Sequence, residues 1–144
     1  MPGLHAIVYV SSAVHLMQPD ELEQLLARAR RKNQKLGVTG LLLYCDGNFM
    51  QYIEGEEENL RKIFKTIQTD PRHQGLVKIL DQPVNEREFA DWNMGFAIAH
   101  ETELSRLTGA SWETGGEDGR SASPRATGRK LLRAFWERQM RAEL

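Results

Sequence analysis

Cysteine is nearly absent from this chain: Cys45 stands alone among 144 residues, which excludes an internal disulfide. Long apolar runs are absent as well. No stretch approaches the ~20 residues of a membrane span, and no cationic-then-apolar leader follows Met1, so the expectation is a cytoplasmic protein without a membrane role. Neither sign of charge dominates. A formal net charge of -1 with interleaved acids and bases offers no broad basic face for nucleic acid and no acidic tail. Catalytic constellations are missing too: the four histidines, His5, His15, His73 and His100, are scattered, and no Ser, His and Asp set, carboxylate pair or metal-ligand spacing can be assembled. The reading is therefore not an enzyme, and metal ligands are none. The length suits one domain with a modest second element.

What is present centres on Gly40 to Gly55, two apolar runs split by Asp46-Gly47, the signal of a β-hairpin. In the second arm, alternation puts Phe49, Gln51 and Ile53 on one face and Met50 and Tyr52 on the other. Gln51 thus sits between large apolar neighbours, where an unpaired carboxamide costs roughly 1 to 3 kcal/mol. It needs a partner inside the fold, and a backbone group or trapped water would serve as well as a ligand. In the first arm Cys45 shares a face with Leu41 and Leu43 and reads as a small buried hydrophobe.

Leu4 to Ser11 reads as a first strand, with Ile7, Tyr9 and Ser11 on one face. Leu22, Leu25, Leu26 and Ala29 follow at helical spacing behind Pro19, Asp20 and Glu21, which suit a helix N-terminus. The stripe reaches Asn33, which should point inward, and Gly37 ends the helix. Beyond the hairpin, Leu60, Ile63, Phe64 and Ile67 form a second helix closed by Asp70-Pro71. Leu76 to Leu80 is a strand, Glu86 to Asp91 a helical turn, and Trp92 to Ile98 a last strand with Trp92, Met94, Phe96 and Ile98 on one face. The fold class is α+β: β-α-β-β-α-β-β, resembling the ferredoxin-like split β-α-β pattern, with a mixed or antiparallel sheet and two helices on one face. The other sheet face is assigned Val8, Leu42, Tyr44, Met50 and Tyr52, with C-terminal helices as its cover. Residues 1–100 form the main domain and 101–144 an extension with a flexible linker over about 109–128, followed by an amphipathic helix carrying Leu132, Phe135, Trp136 and Met140.

Tyr9, Gln51 and Asn33 are neutral hydrogen-bonding groups projected into the space between sheet and helices, with Met94 and Trp92 at its border. Such a lining suits a flat, largely neutral ring, whose faces meet apolar walls while amides address its carbonyl and nitrogen atoms. An ordinary core with a few satisfied polar groups is the plainer reading of the same residues.

Tyr9-Val-Ser11-Ser-Ala13, Asn33 with Gly37-Val-Thr39-Gly40, Phe49-Met-Gln51 before Glu54-Gly55, Asp70-Pro71-Arg72-His73 and Trp92-Asn-Met94 stand in an order and spacing that resembles the BLUF domain, the blue-light sensor using flavin. The resemblance covers residues 4 to 100. It implies a non-covalently held flavin, FAD before FMN or riboflavin, contacted by Tyr9, Ser11, Asn33, Phe49, Gln51, Asp70, Arg72, His73 and Met94. Gln51 would address N5 and the C4 carbonyl, and Asn33 the C4 carbonyl and N3. Asp70, Arg72 and His73 would lie toward the ribityl chain or far ring edge. The photochemical set would be Tyr9, Gln51, Met94 and Trp92: tyrosine gives excited flavin an electron and its proton through Gln51, the amide is left rotated or tautomerised, and absorption shifts red. Where some members carry a second Asn before the one matching Asn33, this chain has Lys32, which could donate to the C2 carbonyl of the ring or be solvated at the helix end, the second reading being favoured. A short photoreceptor of this kind would act through the last strand and C-terminal helices on a downstream signalling protein, as a homo-oligomer. A cofactor-free interaction module and a small enzyme on the same frame are the alternatives.

Overall fold

The computed structural model describes residues 3–14, 17–71, 73–87, 89, 94–98, 107, 132–135 and 137; for His73 and Ile98 it describes the backbone alone. The chain divides into two compact units, Met1–Ile98 and Ala99–Leu144. In the first, the order is β1 (Leu4–Ala13), α1 (Pro19–Leu36), β2 (Thr39–Cys45), β3 (Asn48–Glu56), α2 (Glu57–Gln68), β4 (His73–Pro83) and β5 (Gly95–Ile98). The five strands form one sheet in the order β4-β1-β3-β2-β5. Every neighbouring pair is antiparallel except β2 with β5, so the sheet is mixed. In the second unit the described residues are helical, and Leu132 and Phe135 are buried. The expected linker lies outside the described residues, as does most of the tail helix.

Local chemistry accounts for the joints. Asp46 and Gly47 both take positive φ, 45° and 86°, the left-handed pair that a two-residue hairpin turn demands. At the start of α1 the Gln18 backbone N–H donates to Glu21 Oε1 at 3.0 Å, with Pro19 in the first turn. Gly37 at φ 69° ends the helix, and Val38 N–H reaches back to the Asn33 carbonyl at 2.8 Å. At Gly40 a Cβ would lie 1.9 Å from the Tyr52 carbonyl oxygen, so glycine is required for β2 to lie against β3.

The core between sheet and helices is built from Ile7, Tyr9, Leu42, Tyr44, Phe49 and Ile53 of the strands against Leu22, Leu25 and Leu26 of α1 and Leu60, Ile63 and Phe64 of α2. One sequence expectation is corrected. Leu42 and Tyr44 face the helices, not the opposite side, because the two-residue turn pairs Cys45 with Asn48, Tyr44 with Phe49 and Leu42 with Gln51, and paired residues share a face. With Val8, Met50 and Tyr52, it is Leu41 and Leu43 that belong to the other face, and all are buried. Phe89 packs edge-on against Tyr52 there, at 5.3 Å between ring centroids. The helical turn expected at Glu86 to Asp91 is a pair of bends where it is described, and Trp92 lies outside the described residues. β4 is longer than its apolar segment suggested, running from His73 to Pro83 along the sheet edge.

Candidate functional site

Three adjacent strands lay the floor of a cleft. Tyr9 on β1 pairs with Gln51 on β3, and Gln51 pairs with Leu42 on β2, so the three side chains stand side by side facing α1 and α2. The β1–β4 register slips between Val8 and Tyr9 and again between Val10 and Ser12, irregularities that flank Tyr9. Helix α1 supplies Leu25, Arg28, Ala29, Lys32 and Asn33; α2 supplies Ile63, Thr66 and Ile67; Asp70 follows α2. Together they enclose about 300 Å³, the lower end of the range for ligand clefts. Walls of Leu25, Ala29, Leu42, Ile63 and Ile67 are apolar, and the polar groups converge from the floor, from Asn33 and from the mouth.

The inner wall carries a chain of neutral hydrogen bonds. The Tyr9 hydroxyl donates to Gln51 Oε1, and Gln51 Nε2 donates to Met94 Sδ at 3.2 Å. Tyr9, Asn33, Gln51 and Met94 are almost wholly buried. Burial pushes the Tyr9 phenol well above its ordinary range, and the nearby Asp70 carboxylate adds to the shift, so the phenol keeps its proton. Its ring leans on Phe64 at 5.8 Å between centroids. Arg30 on α1 donates from Nε to the Met94 carbonyl at 3.0 Å and so fixes the residue that receives the Gln51 amide.

The sequence-predicted residues separate into three groups. Tyr9, Asn33, Gln51 and Asp70 line the cleft, and Met94 touches it through Gln51. Ser11 and Phe49 are buried and paired on the same sheet, but they do not line it; the Phe49 ring packs on Tyr44 at 4.9 Å. Arg72, Trp92 and the side chain of His73 lie outside the described residues. Lys32 is exposed, yet its Nζ donates to Thr66 Oγ1 at 2.7 Å, joining α1 to α2 at the cleft, a partner that neither sequence reading of Lys32 named. Sequence reasoning missed Arg28 and Thr66. The signal was available, since 28, 29, 32 and 33 share one side of α1 and 63, 66 and 67 one side of α2, with Asp70 just beyond its end.

The fold is a small α+β domain whose apolar cleft is floored by a tyrosine and a glutamine. Residues 4–95 match the family BLUF, sensors of blue-light using FAD, and the chain belongs to that family of flavin-binding blue-light sensors. It is 34% identical over 92 residues to the photoactivated adenylate cyclase subunit beta of Euglena longa, a match spanning 63% of this chain and 11% of that relative. Its fold matches the dark-state structure of the BLUF protein BlrB at TM-score 0.67 and 29% identity, over 90% of this chain and 98% of the other. It also matches Klebsiella pneumoniae BlrP1 with FMN and cyclic diGMP at TM-score 0.62 and 36% identity, over 66% of this chain and 26% of the other. The fold class read from the sequence is thus the family's own. Among the described residues no group of His, Cys, Asp and Glu could hold a metal, and no helix is long and apolar enough to cross a membrane.

Proposed function

We propose that the cleft between α1 and α2 holds the ring system of a flavin, and that Tyr9, Gln51 and Met94 convert its light absorption into a change of hydrogen bonding. The observation that carries this reading is the Tyr9–Gln51–Met94 chain along the inner wall of a ring-sized cleft. The lining fits the group: apolar side chains can hold both ring faces, while Asn33 and Gln51 offer amide donors and acceptors to a ring edge. Bound flavin supplies blue-light absorption and an excited state that accepts an electron from a nearby donor.

The chain's own residues supply a two-state element. A phenol held neutral stores a proton on Oη against Gln51 Oε1, and the amide is the group that takes that proton or turns. The two amide orientations are not equivalent. A hydroxyl can donate to Oε1 or accept from Nε2, so Tyr9 serves both, but the Met94 thioether accepts and cannot donate. Turning the amide therefore removes the contact to Met94 and releases the residue that leads into β5. A bias on β5 is the output, passed on to a downstream signalling protein, with this chain acting as sensor and not as catalyst. Ser11 and Phe49 support the cofactor from the sheet, Arg72 and His73 belong to its proposed contacts, and Trp92 joins Met94 in the proposed photochemical set. FAD is the expected flavin, ahead of FMN and riboflavin, in a cytoplasmic homo-oligomer. Absorption spectra of the purified yellow protein before and after blue light test the reading: a reversible red shift of the flavin band is expected, and a flavin-loaded protein whose band bleaches or stays fixed would overturn it.

A further inference from the structure

Residues 84–94 join β4 to β5, and the described part of this segment is tied to the rest of the domain at both ends. At its start the Val84 N–H donates to the Leu4 carbonyl at 3.1 Å. Three residues on, the half-buried Arg87 donates to Thr39 Oγ1 at 2.9 Å, to the Glu54 carbonyl at 3.2 Å and to the Gly37 carbonyl at the end of α1 at 2.7 Å. The Thr39 hydroxyl donates in turn to the buried Glu54 carboxylate, and the same carboxylate oxygen takes the Phe89 backbone N–H at 2.6 Å. At the far end α1 reaches back, with Arg30 Nε donating to the Met94 carbonyl at 3.0 Å. Two guanidinium–carbonyl bonds running in opposite directions thus hang the segment on α1, one at Gly37 and one at Met94.

The two ties are unequal. Arg87 and Phe89 make four hydrogen bonds between them, one to a buried carboxylate, and the Phe89 ring is buried against Tyr52. The tie at Met94 is one hydrogen bond from an exposed arginine, which holds weakly. None of the bonds at Arg87 and Phe89 passes through Gln51 or Met94, so a turn of the Gln51 amide leaves them made. Well-packed apolar side chains would fill that side of the sheet as stably as a buried charge does. What the carboxylate adds is direction, since it fixes the backbone at Phe89 in one place.

Resting on the flavin reading above, we infer that Arg87 is a positioning residue of the switch: with Thr39 and Glu54 it holds the chain still at Phe89, five residues before Met94, so that release of Met94 from Gln51 passes forward into β5 and is not absorbed by the segment behind it. The test is amide hydrogen exchange of the flavin-loaded full chain in darkness and under continuous blue light, read beside the absorption difference spectrum. In the parent, light should speed exchange in Gly95–Ile98 and leave residues 84–89 at their dark rate. Arg87→Ala, which leaves the cleft lining intact, should keep a red shift of parental size. In that variant exchange in residues 84–89 should rise roughly tenfold in darkness, about the worth of one charge-assisted hydrogen bond, and should respond to light as well. Arg87→Lys, which keeps the charge and loses the fork, should fall between the two. A red-shifting parent in which residues 84–89 and β5 respond alike, or in which neither responds, would overturn the inference while leaving the flavin reading in place. So would a light response still confined to β5 in Arg87→Ala, and where that variant fails to fold, the parent and Arg87→Lys decide. A flavin-loaded parent without a red shift would remove both readings.

Discussion

Two buried polar clusters occupy opposite faces of the same sheet, three residues apart on β3, and they are built in contrasting ways. Gln51 faces the helices, is neutral, and stands at an open cleft with a phenol on one side and a thioether on the other. Glu54 faces the other way, and its carboxylate is fully buried and enclosed by donors. The Phe89 N–H lies at 2.6 Å, the Thr39 hydroxyl at 3.2 Å and the Tyr52 hydroxyl at 3.3 Å. Arg87 closes that cluster, donating to Thr39 Oγ1, to the Glu54 carbonyl and, at 2.7 Å, to the Gly37 carbonyl at the end of α1. A buried carboxylate with this many donors is a fastening, since every group that touches it loses a partner if it goes. An amide whose N–H is given to sulfur has a weak acceptor, which suits the turn proposed above.

The contrast breaks most visibly in stability. Glu54→Ala leaves two hydroxyls and a backbone N–H to find new partners in the interior, and it is expected to cost about 3 kcal/mol or more in urea unfolding. Gln51→Leu, of similar volume, leaves one hydroxyl beside a cleft to find a new partner and should cost about 1 to 2 kcal/mol, less than Glu54→Ala. Comparable losses in the two variants would mean that both clusters are structural.

A third cluster, at the surface, sharpens the comparison through pH. Asp81 on β4 receives Arg61 in two hydrogen bonds, at 2.7 and 3.0 Å, together with Lys78 at 2.6 Å and His5. Arg61, then Lys78 and His5, hold its carboxyl well below the usual carboxylate range against the opposing effect of its partial burial. Because the folded-state value is depressed, its stabilisation is complete above the unfolded value near 4 and is lost as pH falls below it. Asp81→Asn should flatten the acid limb of the stability profile and leave the neutral-pH light response unchanged. Tyr9 carries the opposite sign: its raised phenol favours folding below about pH 10 and loses that contribution as the unfolded phenol ionises above it. Tyr9→Phe should therefore soften alkaline unfolding as well as remove the proposed photochemical donor.

The smallest effect concerns the tether of Met94. Arg30 is exposed and its hydrogen bond to the Met94 carbonyl adds little to stability, so Arg30→Gln should unfold within about 0.5 kcal/mol of the parent. It should nevertheless change the rate of return to the dark spectrum, with Arg30→Lys intermediate, because it loosens the residue that receives the Gln51 amide. An unchanged recovery rate would place Arg30 outside the switch.

Much of this was legible in the residues. Strand alternation turned Tyr9 and Gln51 inward, and the apolar stripe of α1 carried Asn33 with it, so the floor and one wall of the cleft followed from periodicity. Leu42 and Tyr44 were misplaced because β2 is buried at every position and shows no polar alternation. Only the register across the Asp46-Gly47 turn fixes its faces. Glu54 received no structural role from the sequence, since it stands one glycine before the acidic stretch Glu56 to Glu58, although alternation from Met50 and Tyr52 carries it inward. Contacts between long flexible side chains, Lys32 with Thr66 and Arg30 with the Met94 carbonyl, depend on how two elements sit in space, which no spacing within one element reports.

The central claim is that Gln51 turns to serve a ligand and does not merely complete a core. The most direct test is the light-minus-dark absorption difference spectrum of Gln51→Leu beside the parent, at equal flavin loading. The account predicts that the variant keeps its flavin, through the apolar walls and Asn33, and shows no red shift after blue light. A red shift of parental size in Gln51→Leu would contradict it.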